Sequence, residues 1–272
     1  MATARGTRPV QGYASAPSGR QPPFKLALEI LPQPDDATCG PTCLQAVYGF
    51  YGDQVSIEQV IAEVTPLPNR GSLAVLLGLH SLQRGYGATL YTYNLEIFDP
   101  SWFRLDVDIA EKLRFQAELK DHPRLRWTTD AYLRFLEAGG VLKYEELSPE
   151  LIHGILKGGR PILTGLSATY LYGCAREIDV EDRLEYDDVK GESSGHFVVL
   201  YGYHATTREV LVADPLRENP LVGDQHYSVG IHRLLGAIML GVLTYDGNLL
   251  VLDPPASGVR PDMPETLHPT SE

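Results

Sequence analysis

The sequence contains few cysteines, few basic residues and no long apolar run. Its three cysteines are an odd number, which does not make a disulfide framework and is more typical of a reducing compartment such as the cytoplasm. Lysine and arginine total 23 against 35 aspartate and glutamate, and the resulting net charge of −12 disfavours nucleic acid and anionic membranes as partners. The longest apolar run, near Leu234–Leu243, is about half the length that spans a bilayer. We therefore expect a cytoplasmic protein with no membrane span and no nucleic-acid partner.

Composition divides the chain into one central domain and two tails. Residues 1–24 are rich in Ala, Ser, Gly and Pro and contain no acidic residue, which predicts a disordered tail or, alternatively, a transit peptide. Residues 254–272 predict a second disordered tail. Between them, helical patterns come first and strand patterns follow. Residues 25–253 therefore predict one α+β domain, with N-terminal helices packed on a C-terminal antiparallel sheet.

The stretch Leu31–Gly52 places a cysteine at the start of a predicted helix. Cys39 precedes Gly40 and Pro41, and proline suits a first helical turn because its missing N–H would have no partner there. The unpaired N–H groups of a first turn favour a thiolate and can stabilise an oxyanion. This pattern indicates a nucleophile at Cys39, with Gly40 allowing close approach of a substrate. The side-chain amide of Gln33 is a candidate for a second oxyanion donor.

The two neighbouring cysteines also allow other interpretations. Three residues separate Cys39 from Cys43, whereas two separate the cysteines of a redox pair. Neither a second cysteine pair nor a nearby histidine completes a zinc site. Cys43, four residues into the helix, is expected to be a small buried side chain, and Cys39 would be one too if no base lay beside it. We expect no metal and no cofactor.

Among the eight histidines, His196 is the best candidate for that base. It opens an apolar strand pattern, where a polar side chain can face a cleft. A second strand pattern ends at Asp214-Pro215, and a five-residue hairpin loop would set Asp214 directly across from His196. A four-residue loop would turn Asp214 away unless a bulge intervenes. Alternatively, Asp214-Pro215 merely ends the strand.

The other histidines are weaker candidates for the base beside Cys39. His226 lies beside Asp224 and is a minor candidate. The rest are expected to be structural or solvated: His80, His122, His153, His204, His232 and His268.

Together these residues resemble the papain-like cysteine peptidases that trim bacteriocin precursors after double-glycine leaders. The match consists of Gln33, Cys39-Gly40, His196 and Asp214-Pro215, in that order. The resemblance covers roughly residues 28–87 and 148–253. It implies a papain-like fold in which Cys39 attacks, His196 is the base, Asp214 orients it and Gln33 forms the oxyanion hole. No transporter domain follows in this sequence, so we expect a stand-alone form.

Two segments depart from the resemblance and are expected to be insertions, at about residues 95–147 and 167–195. Within the second, Arg176–Glu192 carries eight acidic and three basic residues. This acidic stretch is either a solvated loop or a surface that selects a basic or amine-bearing substrate.

The expected function is that of a soluble cysteine peptidase or amidase, which cleaves a peptide or isopeptide bond in a peptide or protein substrate through a thioester acyl-enzyme. Transfer of the acyl group to an amine would make the same site an acyl transferase, and a deamidase is equally close. A non-catalytic peptide-binding domain is the alternative from another class, although such domains commonly lack the cysteine.

Overall fold

The computed structural model describes residues 24–64, 71–105, 107–120, 122–180, 183–244 and 247–255. The two predicted tails lie outside these residues, except for Phe24, Pro254 and Pro255. Across the described ranges, no helix has both the length and the apolar composition needed to cross a bilayer.

Helices dominate the first half of the chain. In the described residues the α-helices are α1 (Cys39–Phe50), α2 (Ile57–Glu63), α3 (Ala74–Gln83), α4 (Ile109–Leu119), α5 (Pro123–Glu137), α6 (Pro149–Lys157), α7 (Ala168–Tyr172) and α8 (Ile231–Gly241). Short 3-10 helices cover Pro100–Phe103 and Val242–Thr244.

Strands dominate the second half. They are β1 (Phe24–Lys25), β2 (Gly87–Thr92), β3 (Val141–Lys143), β4 (Ile162–Ser167), β5 (Glu177–Val180), β6 (Arg183–Tyr186), β7 (Gly195–His204), β8 (Glu209–Ala213), β9 (His226–Gly230) and β10 (Asn248–Asp253).

One large sheet organises these strands in the order β3-β2-β10-β4-β7-β8-β9, with β1 paired to β7. All pairs in this sheet are antiparallel except β2–β3, which is parallel. Every residue from His196 to Tyr203 in β7 is buried, and because successive side chains point to opposite faces, both faces of this strand are covered. The predicted α+β class, with early helices packed on a later sheet, is confirmed.

Both segments expected to be insertions contribute to this architecture. Residues 95–147 contain α4, α5 and β3, and β3 forms the edge of the sheet next to β2. Residues 167–195 contain α7 and a separate two-stranded hairpin made of β5 and β6.

A buried polar cluster joins the first three helices away from this hairpin. His80 on α3 is 3% exposed; its Nδ1 lies 2.8 Å from the hydroxyl of Tyr48, and its Nε2 lies 2.9 Å from a carboxylate oxygen of Glu63. Burial lowers the pKa of His80 despite the opposing effect of Glu63. Since each ring nitrogen has a protein partner, His80 has a structural role, as predicted, but its carboxylate partner was not foreseen.

Candidate active site

Cys39 is the first residue of α1, and Pro41 lies in the first turn, as the sequence predicts. The preceding turn is held by side-chain hydrogen bonds: the hydroxyl of Thr38 donates to the carbonyl of Asp35 at 3.1 Å, and that of Thr42 donates to the carbonyl of Thr38 at 2.7 Å. Cys39 is a free, half-buried thiol, and it lies near enough to His196 for a side-chain interaction between them to raise the pKa of His196. The fold therefore brings together two side chains that are 157 positions apart in the sequence.

Gly40 is buried and packs closely against other parts of the protein. A Cβ atom added there would lie 3.0 Å from Cβ of Ser72 and 3.3 Å from Cδ1 of Leu77, closer than ordinary van der Waals contact. Glycine is thus needed here for the approach of Ser72 and of Leu77 on α3, a reason that the sequence did not indicate. Close approach of a substrate at Gly40 stays a prediction.

His196, at the start of β7, faces a carboxylate with one ring nitrogen. Its Nε2 lies 2.8 Å from Oδ1 of Asp214, and the two side chains are 8% and 0% exposed. Because Nε2 is taken by Asp214, Nδ1 is the nitrogen left for Cys39. A thiol, an imidazole and a carboxylate therefore stand in series, an order that can move a proton from sulfur to a ring nitrogen.

Burial and charge act in opposite directions on this pair. Burial lowers the pKa of His196, but the charge of Asp214 outweighs it and, with the hydrogen bond that Nε2 donates to Asp214 and the interaction with Cys39, raises the pKa to about 10. Burial likewise raises the pKa of Asp214, yet the charge of His196 and the hydrogen bonds to the carboxylate bring that pKa below its ordinary value. Both residues are thus stabilised in their charged forms.

A β-bulge brings Asp214 to the face of His196. Strands β7 and β8 pair from His204↔Glu209 to Gly202↔Leu211, and beyond the bulge at Tyr201 they pair as Leu200↔Val212 and Val199↔Ala213. Continued by one residue, the second register sets Asp214 level with Val198, so Asp214 and His196 share a face as diagonal neighbours. Without the bulge, the alternation of side chains along β8 would direct Asp214 to the face of the sheet opposite His196. Of the two loop lengths considered from the sequence, the structure has the four-residue loop, 205–208, together with the bulge that is then needed to bring Asp214 to the face of His196.

The carboxylate of Asp214 accepts four hydrogen bonds. Oδ1 receives the N–H of Leu216 at 2.9 Å in addition to Nε2 of His196. Oδ2 receives the hydroxyls of Tyr172 and Tyr227, each at 2.8 Å. Sequence reasoning missed both tyrosines, because α7 falls in a segment expected to be an insertion and no local motif links either residue to Asp214.

Gln33 lies beside the Asp214-Pro215 turn. Its backbone N–H donates to the carbonyl of Pro215 at 2.9 Å, which ties the Gln33 loop to the end of β8. Its side-chain Nε2 donates to the carbonyl of Asp35 at 2.9 Å. One N–H of this amide is therefore engaged within the loop, and a primary amide has a second one.

The other two cysteines have different surroundings. Cys43 is fully buried, its Sγ donates to the carbonyl of Phe197 at 3.3 Å, and burial raises its pKa well above the ordinary value. It is a small buried side chain, as expected. Cys174 is half-buried, and burial raises its pKa too. His226 lies edge-on to the ring of Tyr201, with the centroids 5.5 Å apart.

Comparison with known proteins gives one family match. Residues 125–230 match the model of the Peptidase_C39 like family. A search of curated proteins finds no match.

Three solved structures resemble the chain at 14% sequence identity. A double glycine motif protease from an AMS/PCAT transporter, in complex with the leader peptide, has a TM-score of 0.40 and covers 85% of this chain and 97% of that chain. A putative C39-like peptidase from Bacillus anthracis has a TM-score of 0.41, with 87% and 100% covered. Xylellain, a cysteine protease from Xylella fastidiosa, has a TM-score of 0.39, with 87% of each chain covered. At TM-scores of this size the likeness does not extend to activity.

The family match includes two of the residues that form the site. His196 and Asp214 lie within the matched residues, whereas Cys39 and Gln33 lie before them. Over residues 125–230 this chain is thus similar to the Peptidase_C39 like family, and that segment supplies the imidazole and the carboxylate that stand behind the thiol of Cys39.

Proposed function

We propose that the protein is a cysteine peptidase or amidase that cleaves a peptide or isopeptide bond through a thioester. In this proposal Cys39 is the nucleophile, His196 the general base and Asp214 the residue that orients it. The observation that carries the proposal is the series itself, in which the side chain of Cys39 interacts with His196 and Nε2 of His196 lies 2.8 Å from Asp214.

The reaction follows from the order of these groups. The proton of Cys39 rests on Nδ1 of His196, whose charged form Asp214 stabilises, and the thiolate sulfur attacks the carbonyl carbon of the substrate. The imidazolium then protonates the leaving amine, and a thioester remains on Cys39. Water gives a proton to the neutral His196 and attacks the thioester, the acid product leaves, and the thiolate forms again beside the protonated imidazole.

The negative oxygen that forms in both steps needs hydrogen-bond donors. The backbone N–H groups of Cys39 and Gly40, the first two residues of α1, have no carbonyl one turn back to pair with, and they lie beside the sulfur because Cys39 begins the helix. We assign the free N–H of the Gln33 amide as a second donor, since the loop that carries it is tied to Pro215. Donors placed before the reaction stabilise the transition state without reorganising.

The substrate is proposed to carry an amine near the scissile bond. Glu177, on β5, is half-buried; burial raises its pKa, while a hydrogen bond from Ser194 and the charge of His196 act in the opposite direction. Asp36, three residues before the nucleophile, also acts on Glu177. The interactions of Glu177 with His196 and Asp36 support an acidic environment on this side of the site, where an amine of the substrate would be attracted.

Acyl transfer to an amine remains a variant of the same chemistry, because the thioester can be attacked by an amine held in the same cleft. The alternative of a non-catalytic binding domain is disfavoured by the side-chain interaction between Cys39 and His196. We retain the cytoplasm as the proposed location, since all three cysteines are free thiols.

The proposal is tested with a peptide library that includes lysine isopeptides. The wild-type protein is expected to cleave at least one class of peptide, and Cys39→Ala to have no activity. Cys43→Ala is the matched control, since it removes a neighbouring thiol that faces Phe197. Equal turnover by Cys39→Ala and the wild type would disprove the proposal. Product analysis with added amines separates hydrolysis from acyl transfer.

The amine preference is tested by replacing one carboxylate. Glu177→Gln is expected to lower kcat/KM for lysine- or arginine-containing peptides relative to neutral ones. Glu185→Gln is the control, because Glu185 is exposed on the other strand of the same hairpin. If both variants keep the wild-type ratio between basic and neutral peptides, the amine preference is wrong.

A further inference from the structure

Two tyrosine hydroxyls converge on the carboxylate that lies behind His196. Tyr172 is the last residue of α7, and Tyr227 is the second residue of β9. Both hydroxyls lie 2.8 Å from Oδ2 of Asp214, and the two side chains are 7% and 8% exposed. Two elements that are distant in the sequence thus bring one polar atom each to the same buried oxygen.

Both hydroxyls act as donors. An ionised carboxylate can only accept hydrogen bonds, so each tyrosine must point its single O–H at Oδ2. Burial raises the pKa of both tyrosines, and the negative charge of Asp214 raises each of them further. Tyr172 and Tyr227 therefore keep their protons throughout the pH range in which a peptidase operates.

These two hydrogen bonds restrict the rotation of the Asp214 carboxylate and favour its ionised form. Oδ2 already accepts two hydroxyls, whereas Oδ1 faces Nε2 of His196 and the N–H of Leu216. Rotation of the carboxylate would break all four bonds, so Oδ1 stays directed at the imidazole. Hydrogen bonds to the charged form also keep a buried carboxylate ionised, when burial alone would favour its protonation.

We propose that Tyr172 and Tyr227 are positioning residues of the active site, which fix Asp214 so that His196 presents Nδ1 to Cys39 and holds a proton there. This inference rests on the proposed function. It also gives the segment at residues 167–195 a part in catalysis, because α7 supplies one of the two hydroxyls.

The test measures the titration of His196 by NMR and the rate of Cys39 alkylation against pH, both without substrate. The variants are Tyr172→Phe, Tyr227→Phe and the double variant. Loss of both hydroxyls frees the carboxylate to turn away from Nε2, so the His196 midpoint is expected to move down by about one pH unit in the double variant, a part of the shift that a nearby opposite charge produces. The alkylation profile should shift in parallel, and kcat should fall more than KM changes, because the hydroxyls do not contact substrate.

Tyr48→Phe is the matched control. It also removes a buried tyrosine hydroxyl, one bonded to His80 and Ser81, so it should lower stability without moving the His196 midpoint. Unchanged midpoints in the double variant, with rapid Cys39 alkylation in the wild type, would overturn this inference and leave the proposed function standing. Slow alkylation of Cys39 in the wild type would instead contradict the proposed function.

Discussion

Replacing Asp214 with asparagine should flatten the pH dependence of folding stability in the alkaline range. In the folded protein burial lowers the pKa of His196, but Asp214, with a further contribution from Cys39, raises it from an ordinary 6.5 to about 10. At about 1.4 kcal/mol per pH unit, the imidazolium gains about 5 kcal/mol from the folded structure. This large value reflects an ion pair whose members are both buried.

The sign follows from proton counting. Below about pH 6.5 both the folded and the unfolded chain hold the His196 proton, so the contribution to stability is full. Between about pH 6.5 and about pH 10 only the folded chain holds it, so stability falls by about 1.4 kcal/mol per pH unit. Above about pH 10 the contribution is lost. In Asp214→Asn the carboxylate is absent, and this decline should be absent too.

Urea unfolding at intervals from about pH 7 to about pH 9.5 measures the effect, and the wild type should lose about 3 kcal/mol more than Asp214→Asn across that range. The difference between the two proteins isolates the pair, because every other titrating group is common to both. His196→Ala should also lack the decline of stability with pH, and it replaces Asp214→Asn in the comparison if that variant does not fold. Parallel curves for the wild type and both variants would refute the coupling.

Three further predictions concern neighbouring features. Gly40→Ala should destabilise the protein by about 1–3 kcal/mol and slow Cys39 alkylation, because the new Cβ would lie 3.0 Å from Cβ of Ser72. Thermal unfolding and the alkylation rate measure the two effects, and wild-type values for both would contradict the prediction. Glu63→Gln should lower the free energy of unfolding by about 1–3 kcal/mol, because it weakens the contact with His80. The alkylation rate of Cys39 should stay unchanged, and a change in that rate would count against a purely structural role for Glu63 and His80. Gln33→Ala should lower kcat about a hundredfold but barely alter alkylation, which forms no oxyanion; an unaltered kcat would remove Gln33 from the oxyanion hole.

The fold class and the helix that begins at Cys39 could be predicted because both depend on local patterns. Pro41 marks the first turn of α1, and Gly52 follows its end with a φ of 84°. The capping residue Ser56, which accepts the N–H of Gln59 at 3.2 Å, likewise marks the start of α2. Such signals act within a few residues of the feature that they specify.

The contact between His196 and Asp214 could not be determined from local sequence patterns. The hairpin register relates these two residues either through a five-residue loop or through a four-residue loop with a bulge, and the bulge at Tyr201 has no sequence signal of its own that decides between them. Tyr172 and Tyr227 were missed for a similar reason. Their hydroxyls reach Asp214 only after α7 and β9 have packed against the sheet, and that packing depends on the whole core.

Glycine at position 40 gives the converse lesson. The sequence indicates a place where backbone must be closely approached, but not what approaches it. The structure shows Ser72 and Leu77 beside Gly40, and the approach of a substrate there stays a prediction.

The central claim is that the thiol of Cys39 and the imidazole of His196 act as one reactive pair. Its most direct measurement is the alkylation rate of each cysteine with iodoacetamide near pH 6, located by mass spectrometry in the wild type and in His196→Ala. Cys39 should react about a hundredfold faster than Cys174, and this advantage should disappear in the variant. Equal rates for Cys39 and Cys174, or a Cys39 rate unchanged by loss of His196, would contradict the account.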